Sequence, residues 1–98
     1  MTSEENSEYI GIFKLIEETG ELLQVLGKLG AFPDTFINHP DGTNLREKLI
    51  EELADCRAAL SYFVNVNFTT KESAMLTDRM HEKYEKFIDW KLSGLCKK

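Results

Sequence analysis

Three observations predict an all-α fold. Apolar residues recur at three- and four-residue intervals in three long stretches. Each stretch is bounded by residues that cap or break helices. No run of β-forming residues alternates with period two. The expected architecture is an antiparallel bundle of about three long helices per chain, completed by dimerisation or by a pairing of dimers. At 98 residues the chain has the length of one domain, spanning 1–98 with 1–7 and 94–98 as flexible tails. A chain this short buries a limited fraction of its surface, so a second copy is expected to complete the core.

The first helix is expected from about Glu8 to Leu29, with Gly30 ending it in a left-handed conformation. The following stretch, "AFPDTFINHPDGTN", contains both prolines and Gly42 and reads as a loop. Its length is unusual for a connection in a compact domain and marks a functional loop. Asn44 caps a second helix, "LREKLIEELADCRAALSYFVNV", with Glu47 in the capping-box position. Thr69 and Thr70, followed by Glu72, start a third helix that runs to about Leu92, where Gly94 stops it.

Composition narrows the class of protein. The net charge of −5 disfavours a nucleic-acid binder, which usually carries a basic face. It also means that an anionic ligand would need a metal ion between itself and the protein. Cys56 and Cys96 form no disulfide framework, which fits a reducing cytoplasm. The N-terminus "MTSEENSEY" is polar and acidic, unlike a signal peptide. No apolar run approaches the ~20 residues of a membrane span.

The acids are placed unusually. On a helical wheel of roughly 100° per residue, Ile12, Leu15, Thr19, Leu22, Leu26 and Leu29 share one face of the first helix. Glu18 falls at the edge of that face beside Val25, with Lys14 and Glu21 continuing its stripe and Glu17 further out. Leu45, Leu49, Leu53, Cys56, Leu60 and Phe63 form the apolar face of the second helix. Glu52 lies inside its border beside Ala59, with Asp55 next to it. Each helix thus sets two acids three residues apart beside its core face. Like charges at such spacing cost a helix about 0.2–0.5 kcal/mol per pair, and partial burial costs more. If the helices pack antiparallel, four carboxylates converge. Oxygen donors without thiolate or imidazole suit Mg²⁺, with Mn²⁺ as an alternative. A di-iron bundle would want Glu-x-x-His motifs, yet Phe36 and Asp78 stand three residues before His39 and His81. Solvated surface acids are the plain alternative.

On the third helix, Leu76, Met80, Tyr84 and Phe87 line one face, and Arg79, Lys83, Lys86 and Trp90 form a stripe alongside. A basic stripe and an acidic metal site together suit a substrate with several phosphates. Surface pairing of these cations with Glu82, Glu85 or Asp89 is the competing reading. In the loop, Phe32, Phe36 and His39 are candidates to close over a nucleobase, or to plug a small core. Tyr62 either lines the site or packs.

"KLIEETGELLQVLGKLG" followed by "LIEELADCRAAL" resembles the MazG-type all-α nucleoside triphosphate pyrophosphohydrolases. The resemblance runs from about Lys14 to Trp90. It lies in Glu-Glu-x-x-Glu on one helix, here Glu17, Glu18 and Glu21, and Glu-x-x-Asp on the next, here Glu52 and Asp55. It implies metal ligation by Glu18, Glu21, Glu52 and Asp55. It also implies Mg²⁺-dependent hydrolysis of an NTP or dNTP to monophosphate and diphosphate, and helical dimers or tetramers. Glu17, Glu21 and Glu52 are then the catalytic acids, with either Glu17 or Glu21 taking the proton from the attacking water. Lys14, Arg79, Lys83, Lys86, Phe36 and His39 are the substrate-binding candidates. Lys83 stands where many members carry Asn, which adds charge and removes an acceptor, and Ala59 stands where some carry Tyr. The alternatives are a non-catalytic nucleotide- or metal-binding helical protein and a plain dimerisation module. No nucleic-acid polymer or membrane is expected as a partner.

Overall fold

The computed structural model of the chain describes residues 8–31 and 44–94. These form three α-helices and no strand: α1 (Ile12–Ala31), α2 (Leu45–Asn67) and α3 (Thr70–Leu92). Contacts group the chain into two compact units, one ending at Asn67 and the other beginning at Phe68. Among the described residues, no helix is long and apolar enough to cross a membrane.

In the first unit α1 packs along α2. The chain enters α1 at Ile12 rather than Glu8 because Gly11 holds φ +80° and is buried against the Tyr62 ring. A Cβ there would lie 3.0 Å from Tyr62 Cε2, so the position needs glycine for both conformation and space. Asn67, the last residue of α2, ties down the same corner. Its amide nitrogen donates to the Ile10 and Phe63 carbonyls, each at 2.8 Å, and its oxygen accepts from Ile10 N–H at 2.8 Å. At the other end of the pair, Val25 and Lys28 share a cleft with Leu45 and Lys48. The expected stop at Gly30 does not occur. α1 runs through it to Ala31, and the left-handed glycines among the described residues are Gly11 and Gly94. A helical glycine costs only about 1 kcal/mol relative to alanine, which the continuing helix tolerates. Asn44 caps α2 as expected, accepting from Glu47 N–H at 3.1 Å.

The line of closest contact differs from the wheel-based expectation. On α2 the buried residues are Leu45, Glu52 and Ala59, spaced by seven. On α1 a matching line runs through buried Gly11, half-buried Glu18 and buried Val25. Seven-residue spacing on both helices is the seam of a coiled-coil-like pair. Leu26, Leu53 and Leu60, expected at the centre of the core faces, are 45%, 47% and 50% exposed. Two helices alone can bury only one stripe each. The stripe chosen keeps the expected Leu45 but otherwise passes through the acids, leaving Leu26, Leu53 and Leu60 on its flank.

The second unit is α3. Thr69 sits in extended geometry (φ −74°, ψ 166°) and closes the expected capping box. Glu72 N–H donates to Thr69 Oγ1 at 3.1 Å, while Thr69 N–H donates to Glu72 Oε1 at 2.9 Å. Gly94, at φ +80°, follows the final turn, and its N–H donates to the Lys91 carbonyl. None of the residues of α3 is buried.

Candidate metal centre

The seam brings carboxylates together at its middle. Oxygens of Glu18, Glu52 and Asp55 lie within 4.8 Å of one another, and so do oxygens of Glu17, Glu18 and Glu21. The four expected ligands therefore fall into two overlapping triads that share Glu18, with Glu21 in the outer one. Helical spacing explains the sharing. Glu18 and Glu21 are one turn apart on α1, Glu52 and Asp55 are one turn apart on α2, and Glu18 stands on the seam itself.

Burial sets this cluster apart from ordinary surface acids. Glu52 is 2% exposed, although carboxylates are almost never fully buried without partners. Its Oε2, and Oε2 of Glu18, are buried with no hydrogen-bond partner. An unsatisfied buried polar atom costs about 1–3 kcal/mol, more if charged. All the donors are oxygens, two orphaned carboxylate oxygens sit in the cluster, and the ligand atoms are close enough for one ion to span. These features fit a hard divalent cation.

A cation that reaches Glu52, Lys48, is given no role by the sequence reading. Lys48 Nζ lies 3.2 Å from Glu52 Oε1 and 3.8 Å from Glu51 Oε2. Lys48 holds its proton more firmly than a free lysine, mainly through its hydrogen bond to Glu52 and then the charge of Glu51. The i,i+4 spacing of Lys48 and Glu52 was a readable signal. Glu21 binds a proton more readily than an ordinary carboxylate. The charge of Glu18 is the largest cause, followed by partial burial and then the charge of Glu52. Lys14 turns to Glu17 at 3.3 Å, both side chains being more than half exposed. The bond and charge of Glu17 raise the lysine's proton affinity.

Two clefts flank the acids. One, of about 310 Å³, is bounded by Lys14, Glu18, Asp55, Ala58, Ala59 and Tyr62. Tyr62 thus both packs on Gly11 and lines the site, and the small Ala58 and Ala59 leave the approach to Asp55 open. The other, of about 290 Å³, has Gln24, Lys28 and Lys48 around Glu21 and Glu52.

On α3, Arg79 pairs with Glu82 at 3.4 Å, the surface pairing weighed against a phosphate role. Lys83 Nζ stands over the Phe87 and Trp90 rings, 5.8 and 5.5 Å from their centroids. Lys86 is exposed. Trp90 tilts against Phe87 at 5.4 Å, in keeping with a packing role. Phe36 and His39 lie outside the described residues. No protein-family model, curated protein or solved structure matches this chain.

Proposed function

We propose that the chain is a Mg²⁺-dependent nucleoside triphosphate pyrophosphohydrolase of the MazG type. It would act in the cytoplasm on an NTP or dNTP and yield the monophosphate and diphosphate. The observation that carries this reading is the Glu18–Glu52–Asp55 triad, with a buried, unpartnered Glu52 oxygen at its centre. A helix pair that needed only stability would place an apolar residue there, because an apolar residue of similar volume is often as stable or more so. The motif spacing adds support, since the residues of the triad are those that the family resemblance assigns to the metal.

Glu18, Glu52 and Asp55 would hold the ion, with Glu21 adjoining. When bound, Mg²⁺ supplies charge neutralisation at the phosphate oxygens and Lewis acidity for the displacement. The chain's own residues do the rest. Glu21 takes the proton from the attacking water in preference to Glu17, because Lys14 already occupies Glu17. The cleft beside Ala58 and Ala59 admits the substrate, and Tyr62 closes one wall. Lys14, on the rim of the same cleft, offsets charge on the phosphates. The chain works as a homodimer or homotetramer built from antiparallel helices. Half-exposed Leu26, Leu53 and Leu60, together with the open apolar stripe of α3, support that assembly.

The test is a panel of eight NTPs and dNTPs with Mg²⁺, reading diphosphate and orthophosphate separately. Diphosphate from one or a few nucleotides is the expected result. Orthophosphate alone would indicate a different reaction. Release of neither, with Mn²⁺ also tried, would leave a binding protein.

A further inference from the structure

Lys48 sits where a metal-free centre needs a cation. Glu52 is the most buried charged side chain among the described residues, and Lys48 Nζ stands 3.2 Å from its Oε1. That ammonium is not locked in. Its side chain is 44% exposed, it lies on the rim of the Gln24–Lys28 cleft, and exposed Glu51 waits 3.8 Å away. Lysine placed four residues before glutamate is also the weaker orientation for a helical ion pair, so the bond is one that a stronger cation can break. A divalent ion on Glu52 would repel an ammonium left on the same carboxylate.

We propose that Lys48 is the resident counter-ion of the metal-free centre, occupying Glu52 until a divalent cation takes that carboxylate, whereupon Lys48 passes to Glu51. The inference rests on the metal centre proposed above and adds a positioning residue that the motif does not contain. Lys48 keeps Glu52 on the seam when no ion is bound, and it lowers the affinity for the ion by competing for the same oxygen. Emptying and filling the centre then exchanges one cation for another, and Glu52 is never left as a bare buried charge.

The test is calorimetric titration of Mn²⁺ alone into the full-length protein, with thermal unfolding of the metal-free form alongside. Four proteins are compared: wild type, Lys48→Gln, Lys48→Arg and Arg46→Gln. Arg46 is an exposed cation on the same turn of α2 and controls for the loss of one charge. Lys48→Gln is expected to bind Mn²⁺ at least about fivefold tighter than wild type and to unfold about 4–8 °C lower without metal. Lys48→Arg keeps the pairing and binds no tighter than wild type. Arg46→Gln changes affinity less than about twofold, as expected for screened surface charge. Unchanged or weaker binding by Lys48→Gln, or an equal gain in Arg46→Gln, would overturn the role of Lys48 and leave the metal centre standing. Absence of Mn²⁺ binding in all four would remove the centre itself, and this inference with it.

Discussion

The α1–α2 pair and α3 handle their apolar residues in opposite ways. The pair has a seam, but the seam is short of hydrocarbon. Val25, Leu45 and Ala59 are its buried apolar side chains, and buried Glu52 stands among them. α3 is well formed at both ends yet buries nothing, with Met75, Met80 and Tyr84 each more than half exposed. A run of exposed apolar side chains along one helix is a candidate interaction surface. The contrast teaches that the pair gives a buried seam position to a carboxylate, whereas α3 leaves its apolar residues open. Both features accord with the oligomer proposed above.

The largest expected effect separates the pair's function from its fold. Glu52→Gln removes the buried charge with little change of shape. Diphosphate release should fall by at least about 10²–10³-fold, in line with the loss of a preorganised charge at a reaction centre. The far-UV helical signal should persist. Full activity in this variant would mean that the seam acids are not the site. On the α3 side, Met80→Glu puts a charge into the open stripe. Sedimentation should show the oligomer shifting to monomer, whereas an unchanged mass would place the association surface elsewhere.

Smaller effects test the corner that closes the pair. Gly11→Ala must bear a left-handed backbone and a contact with Tyr62, at a cost of about 1–2 kcal/mol in urea unfolding. Asn67→Ala loses three hydrogen bonds to Ile10 and Phe63, and about 1–3 kcal/mol is expected. If either variant is neutral, the corner does not hold the two helices together. In α3, the local counterpart is Thr69→Ala, which removes one arm of the capping box and costs about 0.5–2 kcal/mol of helix stability.

The smallest effect is one of pH. Glu21 has a raised proton affinity in the folded chain, so the native state holds its proton more firmly than the unfolded one. Its contribution to stability is fully present below the ordinary carboxylate range and is lost as pH rises through the raised value. Metal-free protein should therefore gain some stability on mild acidification from neutral, as read by the unfolding midpoint. Glu21→Gln should flatten that gain. A gain of the same size in Glu21→Gln would assign it to other groups.

Much of this was legible in the sequence, for reasons that differ by element. Local signals were reliable where the cause is local. Asn44, Thr69 with Glu72, and Gly94 all act within one helical turn, and the structure has them in those roles. The start of α1 was misplaced because Gly11 answers to Tyr62, and Asn67 bonds to Ile10 across 57 residues. No local pattern carries such contacts. The wheel put Glu18 and Glu52 at the borders of their apolar faces, and the structure has Glu18 half-buried and Glu52 buried. It could not tell which edge of each face the neighbouring helix would cover, since hydrophobicity pointed to the leucines. Glu52 consequently proved more central than expected and Leu53 and Leu60 less so. Lys48 lies near Asp55 on the wheel, but its tie to Glu52 gains meaning only once that acid is known to be buried.

The most direct measurement is the thermal unfolding midpoint across a titration of Mg²⁺, wild type against Glu52→Gln. An ion that binds only the folded centre raises the midpoint with the logarithm of its concentration once it exceeds its dissociation constant. The account predicts a rising curve for wild type and a flat one for Glu52→Gln. A flat wild-type curve with both Mg²⁺ and Mn²⁺, or two curves rising together, would contradict it.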